Sequence, residues 1–116
     1  MAVVDAVIAD RAVEAVRVIA RWGRVRAAYL FGSQVHGTAH PWSDIDIAVF
    51  VEGADEWDFE RLSRACGAAQ RGAGLDIEMH IFPATSYENP PRASFAQYIL
   101  THGMALVMDA VEPNVD

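Results

Sequence analysis

Residues 30–47 are the most informative part of the chain and read LFGSQVHGTAHPWSDIDI. Near the end of this stretch, Asp44 and Asp46 alternate with isoleucines, which is the pattern of a β-strand with one packed face. Residues two apart in a strand point to the same side of a sheet, so we expect the two carboxylates side by side. Neighbouring carboxylates repel each other unless a proton or a cation lies between them, and hard oxygen ligands suit Mg²⁺. The pair therefore predicts a metal site, the alternative being a solvated surface pair.

Gly32 and Ser33 stand at the other end of this stretch, between a strand predicted over residues 25–31 and a short helical turn. Glycine lets the backbone approach a ligand closely, and free N–H groups at the start of a helix favour a phosphate. The Ser33 hydroxyl is a further donor, although a serine here also fits a plain helix cap. A metal site beside a phosphate cradle indicates chemistry on a nucleoside triphosphate.

A third acid, Asp76, lies on a strand predicted over residues 75–82, where polar and apolar residues alternate. Its carboxylate, on a strand adjacent to Asp44 and Asp46, would complete a site for two metal ions. Glu78 shares the face of Asp76 and is an alternative ligand, and His80 on that face is a candidate for the rim of the site. Whether Glu78, His80 or His36 joins the site is left open by the sequence.

The remaining segments supply helices around these strands. Residues 3–22 carry apolar side chains at three- and four-residue steps, which predicts an amphipathic helix. A second helix is predicted to begin with the acidic pair Asp55 and Glu56. Its predicted apolar stripe consists of Phe59, Leu62, Cys66 and Ala69.

A loop bounded by prolines follows the third strand, and a helix over residues 92–102 and a short strand over residues 104–108 complete the predicted elements. With a second strand over residues 44–51, the order is helix, strand, strand, helix, strand, helix, strand. This order predicts an α/β fold of the α+β type, with helices packed mainly on one face of a small mixed sheet.

The motifs around Gly32 and Asp44 resemble a known family. Gly32-Ser33, ten further residues and then Asp44-Ile45-Asp46 resemble the signature of the DNA polymerase beta nucleotidyltransferase superfamily. The fuller runs GSQVHG at 32–37 and SDID at 43–46 resemble its minimal nucleotidyltransferase (MNT) branch. The later run LDIE at 75–78 is similar to the strand that carries the superfamily's third acid. The resemblance implies a single nucleotidyltransferase domain over residues 1–116, with an N-terminal helix at 1–22 and a catalytic core at 25–108.

The resemblance also implies a role for each matched residue. Asp44 and Asp46 would bind two Mg²⁺ ions together with the triphosphate, and Asp76 would hold the catalytic metal and help to deprotonate the attacking hydroxyl. Gly32 and Ser33 would grip the triphosphate oxygens. The acceptor hydroxyl would attack the α-phosphorus of ATP, and pyrophosphate would leave with its metal.

The amino-acid composition limits the classes of partner and reaction that we expect for this protein. The chain has 116 residues, of which 53% are hydrophobic, and its 9 basic and 16 acidic residues give a net charge of −7. This charge disfavours direct nucleic-acid binding, and the absence of lysine excludes a catalytic lysine. The apolar runs are too short for a membrane span, and one cysteine, Cys66, allows no internal disulfide. These features predict a cytoplasmic protein.

The length leaves no residues for a separate acceptor-binding lobe, so we expect the acceptor site to involve a partner. In the MNT branch that partner is a HEPN-domain RNase toxin, and the MNT protein is the antitoxin. The resemblance implies that this protein transfers AMP from ATP to a tyrosine of such a toxin, and an acidic antitoxin suits a basic RNase.

Two alternatives remain open at this point. The first is an antitoxin that neutralises its partner by binding alone, without catalysis. The second is a nucleotidyltransferase acting on a small-molecule hydroxyl of the aminoglycoside kind, which would need a second domain or a homodimer to form its acceptor pocket. Retention of Asp44, Asp46 and Asp76 favours catalysis.

Overall fold

A computed structural model describes residues 5–107, and the elements follow the predicted order. The helices are α1 (Ala6–Ile19), α2 (Ser33–His36), α3 (Phe59–Ala73), α4 (Thr85–Glu88) and α5 (Phe95–His102). The strands are β1 (Val25–Phe31), β2 (Ile45–Val51), β3 (Ile77–Pro83) and β4 (Met104–Val107). The parts of the predicted first helix and last strand at residues 3–4 and 108 lie outside the described residues.

The four strands form one mixed sheet in the order β3-β2-β1-β4. β1 pairs antiparallel with β2 and β4, whereas β2 and β3 are parallel and are connected through α3. Two neighbouring parallel strands need such a crossover, because the chain leaves the first strand at one end of the sheet and must enter the next strand at the other end. In the resulting register, Asp46 lies beside Phe31 on one side and beside Glu78 on the other.

The larger core lies between the sheet and the two longest helices, α1 and α3. Alternation sends Ile45, Ile47 and Val49 of β2 to this face, where all three are fully buried. The helices meet them with small side chains, and the fully buried alanines are Ala12, Ala15, Ala65 and Ala69. The predicted fold class, with its main helices on one face, is confirmed.

The opposite face of the sheet is covered in part by α4 and α5. Phe50 is fully buried there, stacked on Phe82 with ring centroids 5.2 Å apart, and Ile99 of α5 packs into the same cluster. This aromatic cluster lies toward the far end of β2. The near end, where Asp46 and Glu78 stand, keeps its polar side chains at least partly exposed.

Several local predictions differ from the structure. The pair Asp55 and Glu56 forms a 3-10 turn (Ala54–Glu56), and α3 begins later because Asp58 caps it by accepting a hydrogen bond from the Arg61 N–H at 2.8 Å. Phe59 is consequently 83% exposed and lies off the buried stripe. The proline-bounded loop contains the short helix α4.

The third strand begins at Ile77 rather than at residue 75, so Leu75 and Asp76 form a turn before it. Within residues 5–107, no helix is both long and apolar enough to cross a membrane.

Candidate active site

Three metal-binding side chains come together on the partly open face of the sheet. Asp46, Glu78 and His80 each offer one ligand atom, and these atoms all lie within 4.8 Å of one another. The cause is the parallel register, which sets Asp46 beside Glu78 and puts His80 two residues further along the same face. The Nε2 atom of His80 lies 3.5 Å from Oδ1 of Asp46 and 3.7 Å from Oε1 of Glu78.

The backbone of Gly32 lies directly against the Asp46 carboxylate. Its φ is +79° and its ψ is −150°, a conformation that side-chain-bearing residues rarely adopt. A Cβ atom at this position would lie 2.7 Å from Oδ2 of Asp46. Gly32 therefore brings the start of α2, at Ser33, close to Asp46 of β2.

The short helix α2 is closed by its flanking glycines. The carbonyl of Gly32 accepts hydrogen bonds from the N–H groups of Val35 and His36 at 3.0 and 3.1 Å. Gly37 ends the helix in the left-handed conformation, with φ +77°. Ser33 is half-buried at the first position of this turn, next to the Gly32 backbone that meets Asp46.

Asp44 completes the acidic group from the residue just before β2. Its carboxylate is exposed and acts electrostatically on Glu78. Desolvation, the Asp46 carboxylate beside it and, more weakly, Asp44 raise the pKa of Glu78, while His80 opposes the rise. Mutual repulsion of this kind is what a bound cation relieves.

Asp76, the expected third acid, has a different environment. It precedes β3, where its carbonyl accepts a hydrogen bond from the Ile45 N–H at 2.8 Å. Its carboxylate forms an ion pair with Arg11 of α1, and that guanidinium holds the pKa of Asp76 below its usual range. Among the described residues, the cluster of ligand atoms contains Glu78 and not Asp76.

The alternation of residues 75–82 was enough to place Glu78 and His80 on the face of the site. It could not show which of the two acids lies beside Asp46, because that depends on the register of β3 against β2. His80 was considered only for the rim, yet it packs inside the site. Its ring makes edge contacts with Phe31 at 5.1 Å and Phe95 at 5.8 Å.

A cavity of about 400 Å³ adjoins these elements, between α1 and the loop that leads to Asp44. Gln34 and Ser43 line one side of it, and the Arg11–Asp76 ion pair lines another. Ser43 holds the loop by accepting a hydrogen bond from the His40 N–H at 2.9 Å. The volume lies within the range of small-molecule sites.

The donor set fits a divalent cation. Carboxylate oxygens and an imidazole nitrogen are common metal ligands, and desolvation together with the neighbouring Asp46 carboxylate raises the pKa of Glu78. His80 Nε2 is also a buried side-chain nitrogen that has no hydrogen-bond partner within the described part of the chain. The arrangement of these three side chains beside the Gly32 turn therefore fits a divalent cation.

Comparisons with known proteins agree with this geometry. The sequence matches the nucleotidyltransferase domain family over residues 13–100, and a search of curated proteins finds no match. Among solved structures, the chain is similar to one in a crystal structure of a toxin–antitoxin with AMP-PNP. The two are 27% identical with a TM-score of 0.57, over 85% of this chain and 72% of that one. Since the family match spans most of the chain and includes Gly32, Asp46 and Glu78, the protein belongs to the nucleotidyltransferase domain family.

Proposed function

We propose that this protein is an antitoxin that transfers AMP from ATP to a hydroxyl group of the toxin protein with which it pairs. The observation that carries the proposal is the meeting of the Asp46 and Glu78 carboxylates beneath the Gly32 backbone. The similarity to a chain of a toxin–antitoxin structure with AMP-PNP, an ATP analogue, supports both the nucleotide and the partner.

In this proposal, Asp44, Asp46 and Glu78 would hold two divalent cations, with Mg²⁺ as the expected ion. The cations would neutralise the triphosphate and the charge that develops on the entering and leaving oxygens. Glu78 takes the role that the sequence suggested for Asp76, because the Asp76 carboxylate is already paired with Arg11. Gly32 and Ser33 would bind triphosphate oxygens through backbone N–H groups and the serine hydroxyl.

The transfer forms a bond between the acceptor oxygen and the α-phosphorus, and it breaks the bond from that phosphorus to the bridging oxygen of pyrophosphate. The acceptor proton passes to a carboxylate of the site. We assign this step to Glu78, which lies beside Asp46 in the third acidic position of the site.

The partner we propose is a HEPN-domain RNase toxin, with a tyrosine as the acceptor. The net charge of −7 favours a basic partner, and opposite charges steer association. In this proposal, residues 1–116 form a nucleotidyltransferase domain and the toxin contributes the acceptor hydroxyl. A single half-buried cysteine fits a reducing, cytoplasmic setting.

The proposal is tested by label transfer with ATP labelled on the α-phosphate, Mg²⁺ and the product of the adjacent gene as the acceptor. We expect label on that protein with the unmodified chain. Asp46→Asn and Glu78→Gln should lower transfer at least a hundredfold, since each removes a charge from the metal site. Asp76→Asn should retain most of the transfer.

Asp55→Asn is the control, because it removes an exposed carboxylate on the 3-10 turn, which is not part of the site. Loss of transfer in Asp76→Asn but not in Glu78→Gln would return the third position to Asp76. A stable complex without label would favour neutralisation by binding alone. Neither label nor complex would direct the search to small-molecule acceptors.

A further inference from the structure

His80 brings a nitrogen into a site otherwise built from carboxylates. Its Nε2 atom is buried and has no hydrogen-bond partner within residues 5–107, although two carboxylates face it. A buried polar atom without a partner costs free energy, so its retention calls for a ligand. Asp46 and Glu78, which face this nitrogen, are the residues expected to hold a cation.

The distances match a cation held between these groups. The nitrogen lies 3.5 Å from Asp46 Oδ1 and 3.7 Å from Glu78 Oε1, which is too long for hydrogen bonds. Ligand atoms that each bind one ion at about 2.1 Å in tetrahedral geometry stand roughly 3.4 Å apart. The nitrogen is therefore close to the spacing of a shared ion from each carboxylate, and the three ligand atoms all lie within 4.8 Å of one another.

The imidazole ring is also fixed in place. Edge contacts with Phe31 and Phe95 hold the ring from the side of α5 and β1. The side chain as a whole is 26% exposed, whereas the Nε2 atom itself is buried against the two carboxylates. Such a ring presents its nitrogen at little cost in side-chain entropy.

We propose that His80 is a nitrogen ligand to the cation that Asp46 and Glu78 hold, and that it makes this position prefer a transition-metal ion over Mg²⁺. The inference rests on the proposed function for the ligand role of the two carboxylates. Mg²⁺ is a hard ion that favours oxygen ligands, whereas imidazole suits the later divalent ions of the first transition row. One nitrogen among oxygens is enough to shift that preference.

Co²⁺ is a suitable probe, because its visible absorption reports its ligands without any nucleotide or transfer reaction. The full chain is titrated with Co²⁺ by calorimetry and absorption, and Mg²⁺ is then added as a competitor. The test variant is His80→Phe, which keeps a ring against Phe31 and Phe95 but removes the nitrogen. His80→Gln is the second variant. The matched control is His102→Phe, because His102 is the last residue of α5, whereas Phe95, which contacts His80, is the first.

We expect both His80 variants to bind Co²⁺ at least tenfold more weakly and with a changed absorption band, while Mg²⁺ affinity changes less than threefold. His102→Phe should match the unmodified protein. Unchanged Co²⁺ affinity in the His80 variants would overturn the inference, and so would an equal loss of Co²⁺ and Mg²⁺ binding. Because no transfer is measured, an inactive protein that still shows the Co²⁺ preference would contradict only the proposed function.

Discussion

Gly32 is the single residue on which the geometry of the site depends most directly. Its backbone occupies a region that side chains disfavour, and it leaves no space for a Cβ beside Asp46. Gly53 also has a positive φ of +77°, but a Cβ there would meet nothing within 4 Å. The two glycines differ in ψ, which is −150° at Gly32 and 4° at Gly53, as well as in the contact that a Cβ would make.

Gly32→Ala should lower the free energy of unfolding by about 1–3 kcal/mol, because the residue is strained and its Cβ pushes against the Asp46 carboxylate. It should also weaken divalent-cation binding. Gly53→Ala should cost about 1 kcal/mol and leave cation binding unchanged. Denaturant unfolding and cation titration of both variants provide the measurement, and equal cation affinities would show that the contact with Asp46 has no consequence.

At the scale of elements, the sequence predicted the strands and their faces well. Alternation located β1 and β2 to within a residue and put Asp44 and Asp46 on one face. It could not locate β3 against β2, because that register is set by how α3 packs on the sheet. The third ligand was therefore left between Asp76 and Glu78, and α4 was missed because its single turn lies between prolines.

The predicted stripe of α3 shows a second limit of local patterns. Phe59 fits the helical spacing, but the cap at Asp58 places it in the first turn, where it is exposed. Ala69 of the predicted stripe is buried, and so is Ala65, because α1 packs closely against α3. The spacing of apolar residues predicts which face of a helix is turned inward, whereas how far each side chain is buried depends on the helix packed against it.

One contact between elements gives a pH-dependent prediction. The Asp76 carboxylate joins the turn before β3 to Arg11 of α1, and the hydrogen bonds from Arg11 hold the pKa of Asp76 below its ordinary value of 3.8. A lowered pKa in the folded state stabilises the fold above the ordinary value, and this contribution is lost as the pH falls through the lowered value.

Asp76→Asn should therefore lower the free energy of unfolding by up to about 1 kcal/mol at pH 7, the ion pair being partly exposed to solvent. The difference should become smaller at an acid pH below the lowered pKa, where the unmodified carboxyl is also neutral. Urea unfolding at the two pH values measures it, with Asp55→Asn as the control. A difference that persists at low pH would indicate a packing effect rather than a charge effect.

For the whole molecule, the sheet divides two tasks between its faces. The face packed against α1 and α3 holds the larger core, and the face toward α5 carries an aromatic cluster at one end and the site at the other. Removing the charge of a site residue should therefore leave the larger core intact.

Binding of nucleotide and cation to the folded protein should raise its melting temperature. ATP and a divalent cation together, at about a hundred times the dissociation constant, should add about 2.7 kcal/mol to stability. For a domain of this size that corresponds to a rise in Tm of roughly 10 °C. Scanning fluorimetry measures the rise, which Asp46→Asn should abolish, and a Tm unchanged by millimolar ligand in the unmodified protein would argue against nucleotide binding.

The crossover through α3 has a consequence for the order of events during synthesis. Asp46 and Glu78 come from strands that are neighbours in space but are separated in the chain by the whole of α3. A nascent chain that ends before β3 contains the Gly32 turn and Asp46 without their partner. Such a chain cannot form the ligand cluster, because Glu78 and His80 are still missing. Binding of a cation during synthesis would therefore show that β2 and β3 have paired.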